Sequence, residues 1–256
     1  PSADPKSHLI FDMFAWASHL FRMPVFFLLA GFFCALLLQK SGGLAFFKNR
    51  LLRVLLPLLI FLPLLWVLMK WVVEFGLIHV MQKPPFLVFI QTMIALPEPP
   101  ALPLSTMHLW FLYHLLFLYL LTWCGRVLIS ASLLNTIRTL QPNLLLLLMI
   151  FACVPALFAV SVPFPAPEWI FPALWALWFY GVFFALGYGF YHDPQWLARF
   201  DADRHFYLLV GGVSYALYYY LLPANLVPPG VAADTQPQGI LKLCLTVFEA
   251  ISAVLW

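Results

Sequence analysis

The chain has 256 residues, of which 64% are hydrophobic and only 9% charged. Soluble domains run at about 45–50% apolar and 25% charged, so thirteen Lys and Arg cannot cover a water-soluble particle of this size. Intrinsic disorder is excluded by the same figures, a disulfide-stapled secreted fold by the sparseness of four cysteines, and nucleic-acid binding is disfavoured by a net charge of only +3 with no dense basic stripe. What remains is an all-α polytopic transmembrane helical bundle. Its ten Trp and ten Tyr suit the two bilayer interfaces.

A spanning helix needs about 20 mostly apolar residues, each adding ~1.5 Å against a ~30 Å core. The hydropathy pattern predicts about seven spans. They run Leu20–Leu38, Leu51–Val73, His108–Cys124, Asn143–Val162, Ile170–Tyr191 and His205–Leu222, with the last starting at Gly239. Pro-rich links such as Pro97-Glu98-Pro99-Pro100 and Pro163-Phe164-Pro165-Ala166-Pro167 separate several of them. Residues 86–94 are apolar but too short to cross, and are expected to form an interfacial or re-entrant piece. The chain starts at Pro1 without Met and stops at Trp256 inside an apolar run. The middle of a longer membrane domain is therefore expected, incomplete at both ends.

Eight of the thirteen basic residues fall in three alternate links: Lys40, Lys48, Arg50 and Arg53, then Arg126 and Arg138, then Arg199 and Arg204. The positive-inside rule places these links in the cytoplasm and Pro1 outside. No signal peptide is visible. Gly181, Ala185 and Gly189 recur every four residues, a spacing that suits close helix packing.

The chain carries no phosphate-binding loop, no His-Glu-x-x-His and no Gly-x-Ser-x-Gly elbow. Cys34, Cys124, Cys153 and Cys244 are not paired at zinc spacing and read as small core residues. No metal is expected. Ionisable groups at membrane depth are more informative, since each costs about 2.5–3.5 kcal/mol at a helix centre on insertion scales. His8, Asp12, His19 and Arg22 would share one helix face. They would form a polar wall toward substrate, or the wet side of a surface helix, with Pro24 in the first turn of the following span. Arg50 and Arg53, three apart, would form a clamp for phosphate or carboxylate, or simply the topogenic charge. Weaker candidates are His108 and His114 on different faces, Glu249 paired with Lys242, and a solvated Glu74 and His79.

The run His19-Leu20-Phe21-Arg22-Met23-Pro24-Val25-Phe26-Phe27-Leu28-Leu29-Ala30-Gly31-Phe32-Phe33 resembles a signature of the integral membrane acyltransferase-three family. Ala30 stands where that family has Ser. The basic run Phe47-Lys48-Asn49-Arg50-Leu51-Leu52-Arg53 leading to Pro57, and the start His108-Leu109-Trp110-Phe111-Leu112, are similar to two further patches. The lead-in is most similar to the branch containing glucan biosynthesis protein C.

The resemblance implies an O-acyltransferase. It would move an acyl group from cytoplasmic acyl-CoA, a co-substrate and not a bound cofactor, to a hydroxyl of an extracytoplasmic carbohydrate. Arg50 and Arg53 would contact the donor, and His19 and Arg22 are the catalytic candidates in this chain. The family's own catalytic His is expected upstream of Pro1, so residues 1–256 alone are expected to insert without catalysing transfer. The expected setting is the bilayer of a bacterial inner (plasma) membrane. A transporter of a small hydrophilic or lipidic molecule is the alternative reading, but the internal repeat that transporters tend to carry is not visible.

Overall fold

The computed structural model describes residues 9–81, 83, 85–95, 105–125, 139–193, 195–222 and 237–256, and for Leu9, Asp12, Pro85 and Phe86 the backbone alone. His8, Arg126, Arg138 and the 224–236 part of the last link lie outside these residues. Among the described residues the chain is a helical bundle without strands, as its composition requires.

The first helix, α1 (Leu9–Ser41), is one continuous rod. Pro24 lies inside it and not in a first turn. Spanning helices tolerate such a proline when neighbours cover the freed backbone groups, and Pro24 is buried. Gly42, at φ 75°, makes the sharp break that follows, a left-handed turn open to glycine. Next come α2 (Gly43–Arg50), a π-helical turn (Leu51–Leu55) and α3 (Leu56–His79). The basic link is therefore itself helical, and the second apolar helix extends from Gly43 to His79.

Helix α4 (Pro85–Ile94) is the short apolar piece expected over 86–94, with Leu87 lying on Gly76 of α3. A 3₁₀ turn (Met107–Leu109) opens α5 (Trp110–Gly125). Helix α6 (Pro142–Phe158) starts with proline at a position where the missing N–H costs nothing. Helix α7 (Leu174–His192) begins four residues later than the hydropathy pattern suggests. Pro172 helps keep the preceding stretch extended, and the carbonyl of Ile170 accepts the Tyr113 hydroxyl instead of a helical amide. The short α8 (Gln195–Ala202), α9 (Arg204–Leu221) and α10 (Gly239–Leu255) complete the bundle. Among the described residues, four helices are long and apolar enough to cross a membrane: those within Met13–Ser41, Gly43–His79, Met107–Gly125 and Leu174–His192.

Helix α7 is central and packs along α1, flanked by α5 and α6, while α10 packs on α9, α6 and α1. The α1–α7 crossing is backbone on backbone. A Cβ on Gly31 would stand 1.9 Å from the carbonyl oxygen of Phe184, and one on Gly187 would stand 1.8 Å from that of Leu28. The Gly181/Ala185/Gly189 stripe does not make this crossing. Gly181 faces Leu118 of α5, Gly189 faces the Trp196 ring of α8, and Ala185 is exposed. Around the crossing, Phe27 stacks on Tyr180 at 4.6 Å between centroids, and Trp110 closes on both rings. Tyr191 donates to Gln39 Oε1 and ties α7 to the end of α1.

Adding a methyl at either crossing glycine must push the helices apart. We expect Gly31→Ala or Gly187→Ala to cost about 1–3 kcal/mol, the range for an overpacked core. The double variant should cost less than the sum, because both methyls open one contact. Gly212→Ala, with nothing within 4 Å, should be neutral. Thermal unfolding of the detergent-solubilised protein measures all four.

Candidate active site

Two polar clusters stand apart in the bundle. The first gathers where the loop between α6 and α7 turns into the helices. Phe164 of this loop is buried, and side chains hold both of its main-chain polar groups. Its N–H donates to Glu249 Oε1 of α10 at 3.4 Å. Its carbonyl accepts from His19 Nε2 of α1 at 3.4 Å, and the two rings stack with centroids 4.9 Å apart. Irregular backbone at membrane depth survives only where protein groups satisfy it, and His19 and Glu249 do so here.

Glu249 is 0% exposed. Its Oε1 also accepts from the Tyr218 hydroxyl of α9 at 3.0 Å, whereas its Oε2 is buried with no partner among the described residues. The pairing with Lys242 expected from spacing is not formed. Lys242 instead lies 5.0 Å from the ring centroid of Phe158, a cation–π contact available one helix away. Arg22 lies one turn beyond His19 on α1, is exposed, and is close enough to act electrostatically on both His19 and Tyr180. His19 and Arg22 are thus brought to one place. Trp16 meets the His19 ring edge-on at 6.0 Å, and the side chains of His8 and Asp12 lie outside the described residues.

The second cluster is built by α2, the π turn and α5. The guanidinium of Arg50 lies over the rings of Phe46 (5.7 Å) and Tyr119 (5.5 Å). Its Nη2 donates to Asn49 Oδ1 at 2.8 Å, and its Nε–H is buried with no partner among the described residues. Arg53 is exposed and takes no part in this aromatic shelf. The π turn bonds residue i to i+5, which turns Arg53 further from Arg50 than an α-helix would. A π-helical turn, Leu51–Leu55, thus follows Arg50 and carries Arg53.

The weaker candidates separate. His108 is exposed, whereas His114 is 0% exposed, with Nδ1–H donating to the Trp110 carbonyl at 2.8 Å and Nε2 unpartnered among the described residues. Glu74 forms an exposed pair with Lys70 at 3.9 Å, and His79 stacks on Phe75. The role of Glu249 with Tyr218 and Phe164 does not follow from spacing. The available signal was a lone carboxylate in the middle of an apolar helix.

A buried imidazole nitrogen without a partner destabilises. Replacing it by an apolar group of similar size is neutral or stabilising where the group serves only packing. We expect His114→Leu to leave the melting temperature unchanged or raise it, measured by thermal unfolding in detergent. A clear loss of stability would mean that Nε2 has a partner in the working protein.

No curated protein and no solved structure matches the chain. A family model described as an acyltransferase domain matches residues 2–255, a match that takes in both polar clusters and every helix between them. The chain therefore belongs to this family of membrane acyltransferases.

Proposed function

We propose that the protein transfers an acyl group from acyl-CoA on the cytoplasmic side of a bacterial inner membrane to a hydroxyl of an extracytoplasmic, glucan-like carbohydrate. In the transfer, the hydroxyl oxygen attacks the thioester carbonyl and a base removes its proton. The carbon–sulfur bond breaks, and coenzyme A leaves as the thiolate and is then protonated. The observation that carries this reading is the arrangement of one cationic and one imidazole-bearing cluster within a single bundle, in a chain of an acyltransferase family.

Arg50 offers an aromatic-backed guanidinium to the phosphates of the donor substrate, and Arg53, three residues on, adds an exposed positive charge. His19 offers a ring nitrogen to the acceptor hydroxyl, and Arg22 a positive charge to the oxygen on which negative charge develops. Membrane orientation follows the basic links, with α2 inside and the start of α10 outside.

Replacing both Arg50 and Arg53 by Ala should abolish transfer of a radiolabelled acyl group from acyl-CoA without loss of membrane insertion. Each lost charge-assisted contact is worth about 1.5–3 kcal/mol. Arg50→Lys should rescue only in part, because Lys lacks the planar surface that lies on Tyr119. Wild-type rates in the double Ala variant would leave these residues with the topogenic role alone. For orientation, a single Cys introduced at Gly43 should react with a membrane-impermeant thiol reagent only from the cytoplasmic side. External labelling would invert the topology.

A further inference from the structure

We propose that Glu249 is a positioning residue that fixes the imidazole of His19 through the main chain of Phe164. The inference rests on the reading of His19 as the group that faces the acceptor hydroxyl. It starts from a carboxyl group with 0% exposure in the middle of an apolar helix, a placement that is costly and marks function by default. Glu249 has no cationic partner among the described residues, since Lys242 turns to Phe158. Its Oε1 takes two donors, the Tyr218 hydroxyl of α9 and the N–H of Phe164.

The same residue of the loop then faces the other way. The Phe164 carbonyl accepts from His19, its ring stacks on the imidazole, and Trp16 closes the imidazole edge. A carbonyl can only accept, so the contact requires a proton on His19 Nε2. In the neutral ring that leaves Nδ1 with the lone pair, able to take a proton from a hydroxyl. Glu249 thus sets where the loop sits, the loop sets which nitrogen is protonated, and the base nitrogen is presented on the opposite edge of the ring. The logic is that of a buried carboxylate orienting a catalytic histidine, with one residue of main chain inserted between the two side chains.

The test uses the full-length protein labelled with ¹⁵N-histidine in detergent, with His19→Asn assigning the His19 signal. The wild type should show Nε2 protonated and Nδ1 free. Glu249→Ala should release the loop, giving a mixture of tautomers at His19 and a kcat lower by about 10- to 100-fold, with the KM for acyl-CoA unchanged. Glu249→Gln keeps a carbonyl oxygen that can accept both donors, so tautomer and rate should stay within a few-fold of wild type. An unchanged His19 tautomer in folded Glu249→Ala overturns the proposal. So does an inactive Glu249→Gln whose His19 signal is unaltered, and this variant decides the matter alone if the Ala variant fails to fold. His19→Ala with wild-type activity would remove the reading of His19 as base, and with it the role of Glu249 in transfer, while the tautomer measurement would still report the linkage itself.

Discussion

The contact on which the bundle depends is the crossing of α1 and α7, where Gly31 and Gly187 bring the two backbones within reach of each other. In lipid no hydrophobic force drives helices together, because the surroundings are as apolar as the side chains. Association then rests on close van der Waals approach and on hydrogen bonds between helices. The two contacts are reciprocal, Gly31 of α1 against the Phe184 carbonyl of α7 and Gly187 of α7 against the Leu28 carbonyl of α1, and together they give the two helices a fixed register. That register puts the Phe27–Tyr180–Trp110 aromatic cluster on one side of the crossing and the Tyr191–Gln39 bond at its end. A methyl at either glycine acts on all of these at once.

A second constraint comes from the loop between α6 and α7. Glu249 lies ten residues into α10, about 15 Å along its axis and roughly half the thickness of the hydrocarbon core. The loop reaches it, so its irregular backbone at Phe164 is buried inside the bundle and must be satisfied by protein groups. The loop's main chain is answered piece by piece. Phe164 is held by His19 and Glu249, the Glu168 carbonyl accepts from both the N–H and the hydroxyl of Thr106, and the Ile170 carbonyl accepts from Tyr113. Trp66 of α3 extends the same staple by donating to the Ser105 carbonyl at 2.9 Å. Polar residues that look expensive in the sequence are therefore partly structural, and the informative atom is the one left over. Glu249 Oε1 is committed, whereas Glu249 Oε2 is not.

Hydropathy made most of the helices legible because lipid-facing and core-facing surfaces are both apolar, so span length shows without any knowledge of packing. Boundaries were less legible where a side chain competed with the helix, as at Ile170, or where a proline was absorbed inside a helix, as at Pro24. The close-packing glycines were misplaced because a four-residue stripe looks the same on any face of a helix, and only the neighbour decides which glycine matters. At the site, His19 and Arg22 were visible as neighbours on one helix, but Phe164 was not. Its contribution is its main chain, to which a sequence pattern gives no clue. Glu249 was visible as an isolated charge and was given the nearest cation in sequence, although a cation two turns away on the same helix loses to an aromatic ring across the interface.

The distance between the two clusters limits the chemistry they can share. Arg50 lies on Tyr119, whose ring meets Phe184, and the Phe184 carbonyl is the one that crosses Gly31. His19 is twelve residues earlier on the same α1 rod, roughly 18 Å along its axis. No side chain bridges that span, and the aromatic core between the clusters is closely packed around Phe27, Trp110 and Tyr180. Each cluster therefore answers to its own surroundings: the guanidinium of Arg50 to the aromatic shelf of Phe46 and Tyr119, and the imidazole of His19 to the main chain and ring of Phe164.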